Sequence, residues 1–220
     1  LPPPPPPFST HRVPYRQQTD LLYMTGFQEP GALAVFTKGG DADELTLAMV
    51  VRDEDKRAEV WDGGRTSPQG CTEHFLADKA YHASQAGDAL PQLLAAASHV
   101  FYDSAGTADV NPKMHAMVEP ALADHLHVSS PTSILHKVRS VKSEAEVSLM
   151  ASSGAAAAAG VKAAMRSAVA GRTESYVAAE YEGTVKRLGA WRLSFPCVVA
   201  SGRNALTLHY LQNQAQLKSG

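Results

Sequence analysis

The chain has 220 residues, 44% hydrophobic and 19% charged, which is ordinary for a globular protein of one or two domains and leaves enough apolar material for a sizeable core. The formal charge of −2 gives no basic footprint for nucleic acid. No apolar run approaches the length needed to span a membrane.

Residues 2–7 are all proline and predict an extended polyproline segment. Without further PxxP context, residues 1–14 read as a proline-rich leader rather than a partner-binding ligand. From residue 15 to residue 130 the pattern is mixed α/β. Residues 32–37 (ALAVFT) and 45–51 (LTLAMVV) have strand length and composition. Gly39, Gly40 and the acidic residues 41–44 make a plausible hairpin connection between them. Residues 58–61 (AEVW) read as a third short strand, 90–97 as a helix, 99–102 (HVFY) as a strand and 112–127 as helical. Residues 129–133 (SSPTS) form a polar, proline-containing break, taken as the domain boundary.

Beyond that break, residues 131–220 begin with helices. Ser143 and Glu146 have capping-box spacing, and the alanine-rich helix they open should run to about Val169 and stop at Ala170 and Gly171. Thr173 should cap a second helix, with Glu174 favourably placed in its first turn. Val177, Tyr181, Val185 and Leu188 recur at helical spacing and predict one buried stripe. Residues 194–200 (SFPCVVA) and 206–210 (LTLHY) read as strands joined by a turn at 202–204.

No self-contained catalytic motif is present: HExxH, GxSxG, P-loop and GxGxxG patterns are all missing. The two cysteines, Cys71 and Cys197, are far apart and read as free thiols of a reducing compartment. His125 and His127 could share one face of a strand as ligands, but no third ligand lies near them, and a partly exposed pair near a helix end is the expectation. Asp53, Glu54 and Asp55 read as a solvated turn. His209 sits in an otherwise apolar segment, where it is either a core histidine or an imidazole that hydrogen-bonds a substrate carbonyl.

Four blocks in order give a resemblance. Residues 15–30 (YRQQTDLLYMTGFQEP) resemble the "YRQ", "YLTGF" and "EP" signature at the front of the aminopeptidase P family. Residues 59–63 (EVWDG) resemble its "EIWxG" strand end, with Gly64 in place of a usual arginine. Residues 135–143 (LHKVRSVKS) are similar to its interdomain "HxMRxIKS" segment. Residues 195–202 (FPCVVASG) and 204–210 (NALTLHY), with Asn213, are similar to its "YPSIVxSG…N…xLHYxxN" block. The wording of "GFQEP" and "TLHY" leans toward the mitochondrial, intermediate-cleaving branch. The "TGFxEP" block argues against a creatinase-type hydrolase or a non-catalytic chaperone domain with the same fold.

The resemblance implies an α/β fold: an N-terminal domain of the creatinase and aminopeptidase P type, then the first half of a pita-bread catalytic domain. It implies release of an N-terminal residue that precedes proline, from peptide substrates, by water activated between two divalent cations, usually manganese. His209 carries over to an active-site histidine. Phe195 matches a rim position often held by tyrosine, without its hydroxyl, and Trp61 matches an aromatic that can help close a site. The family's metal ligands are two aspartates, a histidine and two glutamates, and none of these is expected among the 220 residues. The implied activity therefore belongs to a complete parent protein, mitochondrial or cytoplasmic, and the chain alone is expected to be inactive. The alternative is a metal-free relative kept as a binding or structural subunit. An open half-domain should also need a homo-oligomer or another partner to cover it.

Overall fold

The computed structural model describes residues 15–39 and 45–219. The proline run and residues 40–44 of the expected hairpin connection lie outside the described residues. The chain divides into two compact units, Leu1–Val138 and Arg139–Gly220, so the division falls later than the polar break at 129–133.

The first unit is built around β2 (Leu45–Val51), which pairs antiparallel with β1 (Leu33–Lys38) and parallel with β3 (Lys79–His82). The register runs from Leu33 opposite Val50 to Lys38 opposite Leu45. A strand covered on both faces needs no polar alternation, and the unbroken apolar LTLAMVV run is the signature of that position. Val50 points into one cluster with Ala86, Leu90, Leu94, Met114 and Val118. Met49 and Val51 point the other way, against Phe27, Cys71 and Ala77. The first cluster is closed by α4 (Ala86–Leu94) and α6 (Pro112–Leu122), the second by α3 (Pro68–His74) and the residues after α1 (Thr19–Thr25). The Phe75 ring meets Phe27 edge-on at 5.0 Å.

The front signature closes this unit. Gln17 is only 6% exposed. Its Nε2 donates to the Glu29 carbonyl at 2.8 Å, and its Oε1 accepts from the Tyr15 hydroxyl at 2.8 Å. Gly26 ends α1 at φ 73°, a left-handed conformation that disfavours other residues, and so turns Phe27 into the core. Glu29 Oε1 accepts from the Thr66 N–H at 2.9 Å and from its hydroxyl at 2.5 Å.

Residues 58–61 are not a strand. They lie within α2 (Lys56–Asp62), because Asp55 accepts from the Arg57 and Ala58 N–H groups and starts a helix that Gly63 ends at φ 88°. Asp55 is thus a cap rather than part of a solvated turn, and Asp53 accepts from the Ser84 N–H and hydroxyl. The Ser67–Pro68 start of α3, the Asp103-capped α5 (Ser104–Val110) and β3 are elements that the sequence pattern did not reveal. The helix expected over 112–127 stops at Leu122, and β5 (Val128–Ser129) pairs in parallel with β4 (Val100–Phe101). The division between the units falls inside α7 (Thr132–Ser140).

In the second unit α8 (Glu144–Ser167) opens on the expected capping box, Ser143 N–H to Glu146 Oε2 at 2.7 Å and Glu146 N–H to Ser143 Oγ at 3.3 Å. It ends before Val169 because Ala168 leaves helical geometry at ψ 72°. Thr173 caps α9 (Glu174–Arg187). Val177 and Val185 are buried and Tyr181 is half-buried, but Leu188 is exposed, since α9 has already ended. The helices meet closely at Gly160 of α8, where a Cβ would stand 2.7 Å from Val185 Cγ1 and 2.8 Å from Tyr181 Cδ2.

Residues 194–200 and 206–210 do not form strands. A 3-10 turn, Gly202–Leu206, occupies the centre of this region. Side chains take the backbone groups that a sheet ladder would use. Asn213 Oδ1 accepts from the Val199 N–H at 2.8 Å, and Asn213 Nδ2 donates to the Cys197 carbonyl at 2.8 Å.

Candidate functional site

Glu174 organises the polar end of the second unit. It sits in the first turn of α9 and is 0% exposed. Its Oε1 accepts from the Ser201 N–H at 2.6 Å, the Ser201 hydroxyl at 2.8 Å and Asn204 Nδ2 at 3.3 Å. Its Oε2 accepts from the Tyr210 hydroxyl at 2.8 Å and the Ala215 N–H at 2.9 Å. Burial alone would push this carboxyl up, but the hydrogen bonds from Ser201, Tyr210 and Ala215 outweigh it and bring the group from 4.5 down to about 2. The same bond pushes the Tyr210 phenol above its ordinary 10. Asn204 also donates to the Tyr210 oxygen at 3.0 Å, and the Glu174 N–H donates to the Ala215 carbonyl at 2.9 Å.

The segment so held carries His209. Bonds to Ser201 and Asn204 fix the chain before it, and those to Tyr210 and Ala215 fix the chain after it. Asn213, at φ 48°, adds its two bonds to Val199 and Cys197. His209 is exposed between the anchored Tyr210 and Leu208, which is 89% exposed. It is therefore not the core histidine that its apolar neighbours allowed. Phe195 is exposed in the same unit. Trp61 belongs to the other unit, in the last turn of α2, and is 79% exposed. The bonds around Glu174 bring together none of these three rings; they organise the backbone that presents one of them.

Sequence reasoning missed Glu174, treating it as a helix-dipole acid. A buried carboxylate and a solvated one look alike at that position. The signal that could have exposed it is the polar content of the block it serves: Ser201, Asn204 and Tyr210 fall within ten residues of one another.

Several other titratable groups have partners of their own. His99 Nε2 bonds Ser129 Oγ at 2.7 Å, and its ring stacks on His127 at 6.0 Å. Burial pushes the Cys71 and Cys197 thiols up, and both are free. Beside α2 a depression of about 600 Å³ is lined by Arg52, Asp53, Lys56, Arg57 and Arg65. Arg52 and Arg65 there face Glu29 and Asp55, each at 3.7 Å. Among the described residues no three histidine, cysteine, aspartate or glutamate side chains come together as a metal site. The described donor set does not fit a dinuclear metal centre.

Comparison with known proteins decides the family. The family model for the aminopeptidase P N-terminal domain matches residues 8–102, and that for metallopeptidase family M24 matches residues 148–220. The structure of aminopeptidase P from E. coli in its low-pH form matches with a TM-score of 0.86 at 28% identity, over 94% of this chain and 48% of that one. The chain belongs to the aminopeptidase P family. Its α/β architecture is the aminopeptidase P N-terminal domain followed by part of the M24 domain. The mitochondrial intermediate cleaving peptidase 55 of Arabidopsis thaliana is 30% identical over 96% of this chain and 42% of its own length. Xaa-Pro aminopeptidase 3 of Homo sapiens is 27% identical over 97% of this chain and 43% of its own length. The chain thus spans less than half the length of these aminopeptidase P relatives. No helix among the described residues is long and apolar enough to cross a membrane.

Proposed function

We propose that this chain contributes the N-terminal domain and a substrate-facing segment to an Xaa-Pro aminopeptidase, which releases an N-terminal residue preceding proline. The observation that carries the reading is the match, at a TM-score of 0.86, to an aminopeptidase P structure, together with the exposed His209 on a backbone segment held from both sides. In this reading His209 donates a hydrogen bond to the substrate carbonyl as negative charge builds on its oxygen. Phe195 supplies an apolar wall for the peptide, and Trp61, in the first unit, is a separate aromatic candidate for substrate contact. The reacting water would be activated by two divalent cations, with manganese as the candidate, held by residues other than those described here. The name of the Arabidopsis relative supports a mitochondrial location over a cytoplasmic one.

The second reading is a metal-free binding or structural subunit that pairs with another copy or a different chain. It is favoured by the lack of a metal-binding group among the described residues. One experiment separates the two. The protein is isolated from its source with an antibody to this sequence, and its metal content is measured. Release of the first residue from an Xaa-Pro peptide is then followed by mass spectrometry, with an Xaa-Ala peptide as control. Turnover of the proline peptide with bound divalent metal supports the enzyme. A metal-free preparation that releases nothing from either peptide supports the subunit.

A further inference from the structure

We propose that Glu174 is a positioning residue, whose caged carboxylate sets the orientation in which His209 is presented. The inference rests on the reading of His209 as substrate-facing and assigns the group that makes it so. The carboxylate collects donors from Ser201, Asn204, Tyr210 and Ala215, which flank His209 on both sides in sequence. Residues 208–209 form a turn without ladder bonds, so their direction follows from where these flanks are tied. Helix α9 is a rigid base for that tie, because Thr173 caps it and Val177 and Val185 bury its inner face. A serine, an asparagine, a tyrosine and a main-chain amide converging on one carboxylate is more than a helix start requires. A capping role is satisfied by Thr173 alone.

The chemistry requires an anion with two acceptor oxygens. In Glu174→Gln one oxygen becomes an NH₂ donor. The Tyr210 hydroxyl can reverse and accept from it, but the Ala215 N–H cannot. Glu174→Asp keeps the charge and shortens the reach by one methylene.

The test uses the full-length protein that carries this sequence, with amide hydrogen exchange and the ring resonances of His209 as readouts. In Glu174→Gln we expect the Ser201 and Ala215 amides to exchange at least ~10-fold faster, which is the loss of about 1.4 kcal/mol of local protection. The His209 ring signal should move or broaden, while α8 amides keep their rates. Glu174→Asp should restore part of both effects. Tyr210→Phe removes a single donor and serves as the gentler variant: it should speed exchange at Ala215 and shift the His209 signal in the same direction. Unchanged exchange and an unchanged His209 signal in Glu174→Gln or in Tyr210→Phe overturn the proposal, as does acceleration spread evenly over α8 and α9. His209→Ala separates this inference from the functional reading. It should leave Ser201 and Ala215 protected while abolishing peptide turnover in the source protein edited at this codon. Full turnover by that variant defeats the role of His209 without touching the exchange result.

Discussion

Replacing Gly160 with alanine sets two effects of known sign against each other. Glycine inside a helix costs about 1 kcal/mol relative to alanine, so α8 taken alone would gain by the change. The new methyl, however, would stand 2.7 Å from Val185 Cγ1 and 2.8 and 2.9 Å from two atoms of the Tyr181 ring. Carbon atoms settle at about 3.5–4.0 Å, so something must move by most of an ångström. Val185 is buried and β-branched, hence stiff about χ1, and the Tyr181 ring is packed beside it. Overpacking of this kind costs about 1–3 kcal/mol. The clash therefore outweighs the propensity gain, and Gly160→Ala should destabilise the second unit by about 1 kcal/mol. Gly154 lies in the same helix, is exposed, and has nothing within 4 Å of where its methyl would stand. Gly154→Ala should stabilise by about 0.5–1 kcal/mol. Urea unfolding followed by circular dichroism, run on both variants, gives the comparison. Equal stabilisation by the two alanines would refute the close helix contact.

Other outcomes follow from named groups. The Glu174 carboxyl is depressed in the folded chain, so its contribution is complete above 4.5 and is lost as pH falls toward about 2. Thermal unfolding scanned over that window should show a falling midpoint, and a flat profile would contradict the cage. The Tyr210 phenol is raised, so its contribution is present below pH 10 and is lost as pH rises through its folded value; Tyr210→Phe should flatten that alkaline limb. Asn213→Ala leaves the Val199 N–H and the Cys197 carbonyl without their partner and should cost about 1–3 kcal/mol in urea unfolding. Asp55→Ala removes the cap of α2 and should cost about 1 kcal/mol, with faster amide exchange at Arg57 and Ala58 as the local sign.

The sequence was most legible where local chemistry decides the outcome. The capping box at Ser143 and Glu146 and the cap at Thr173 appear as read, because a hydroxyl that reaches an N–H three residues on needs no tertiary help. The strand at Leu45–Val51 was equally plain, since an apolar run of that length between polar segments has few other places to go. Residues 58–61 misled because valine and tryptophan favour strands, while Asp55, just ahead of them, favours a helix start and prevails. Residues 194–210 misled for a different reason. Their apolar content has strand character, but Asn213 and Glu174 supply from a distance the bonds that neighbouring strands would give. Glu174 itself was invisible as a site, since its importance lies in partners 27 to 41 residues away.

The stitching of Gln17 to Glu29, and of Glu29 to Thr66, has a bearing on how such chains are recognised. The most distinctive words of the front block serve to fasten the first unit shut. A descendant could shed its chemistry entirely and still need that fastening. Retention of the block is therefore a mark of shared architecture, and drift within it is a warning of weakened folding.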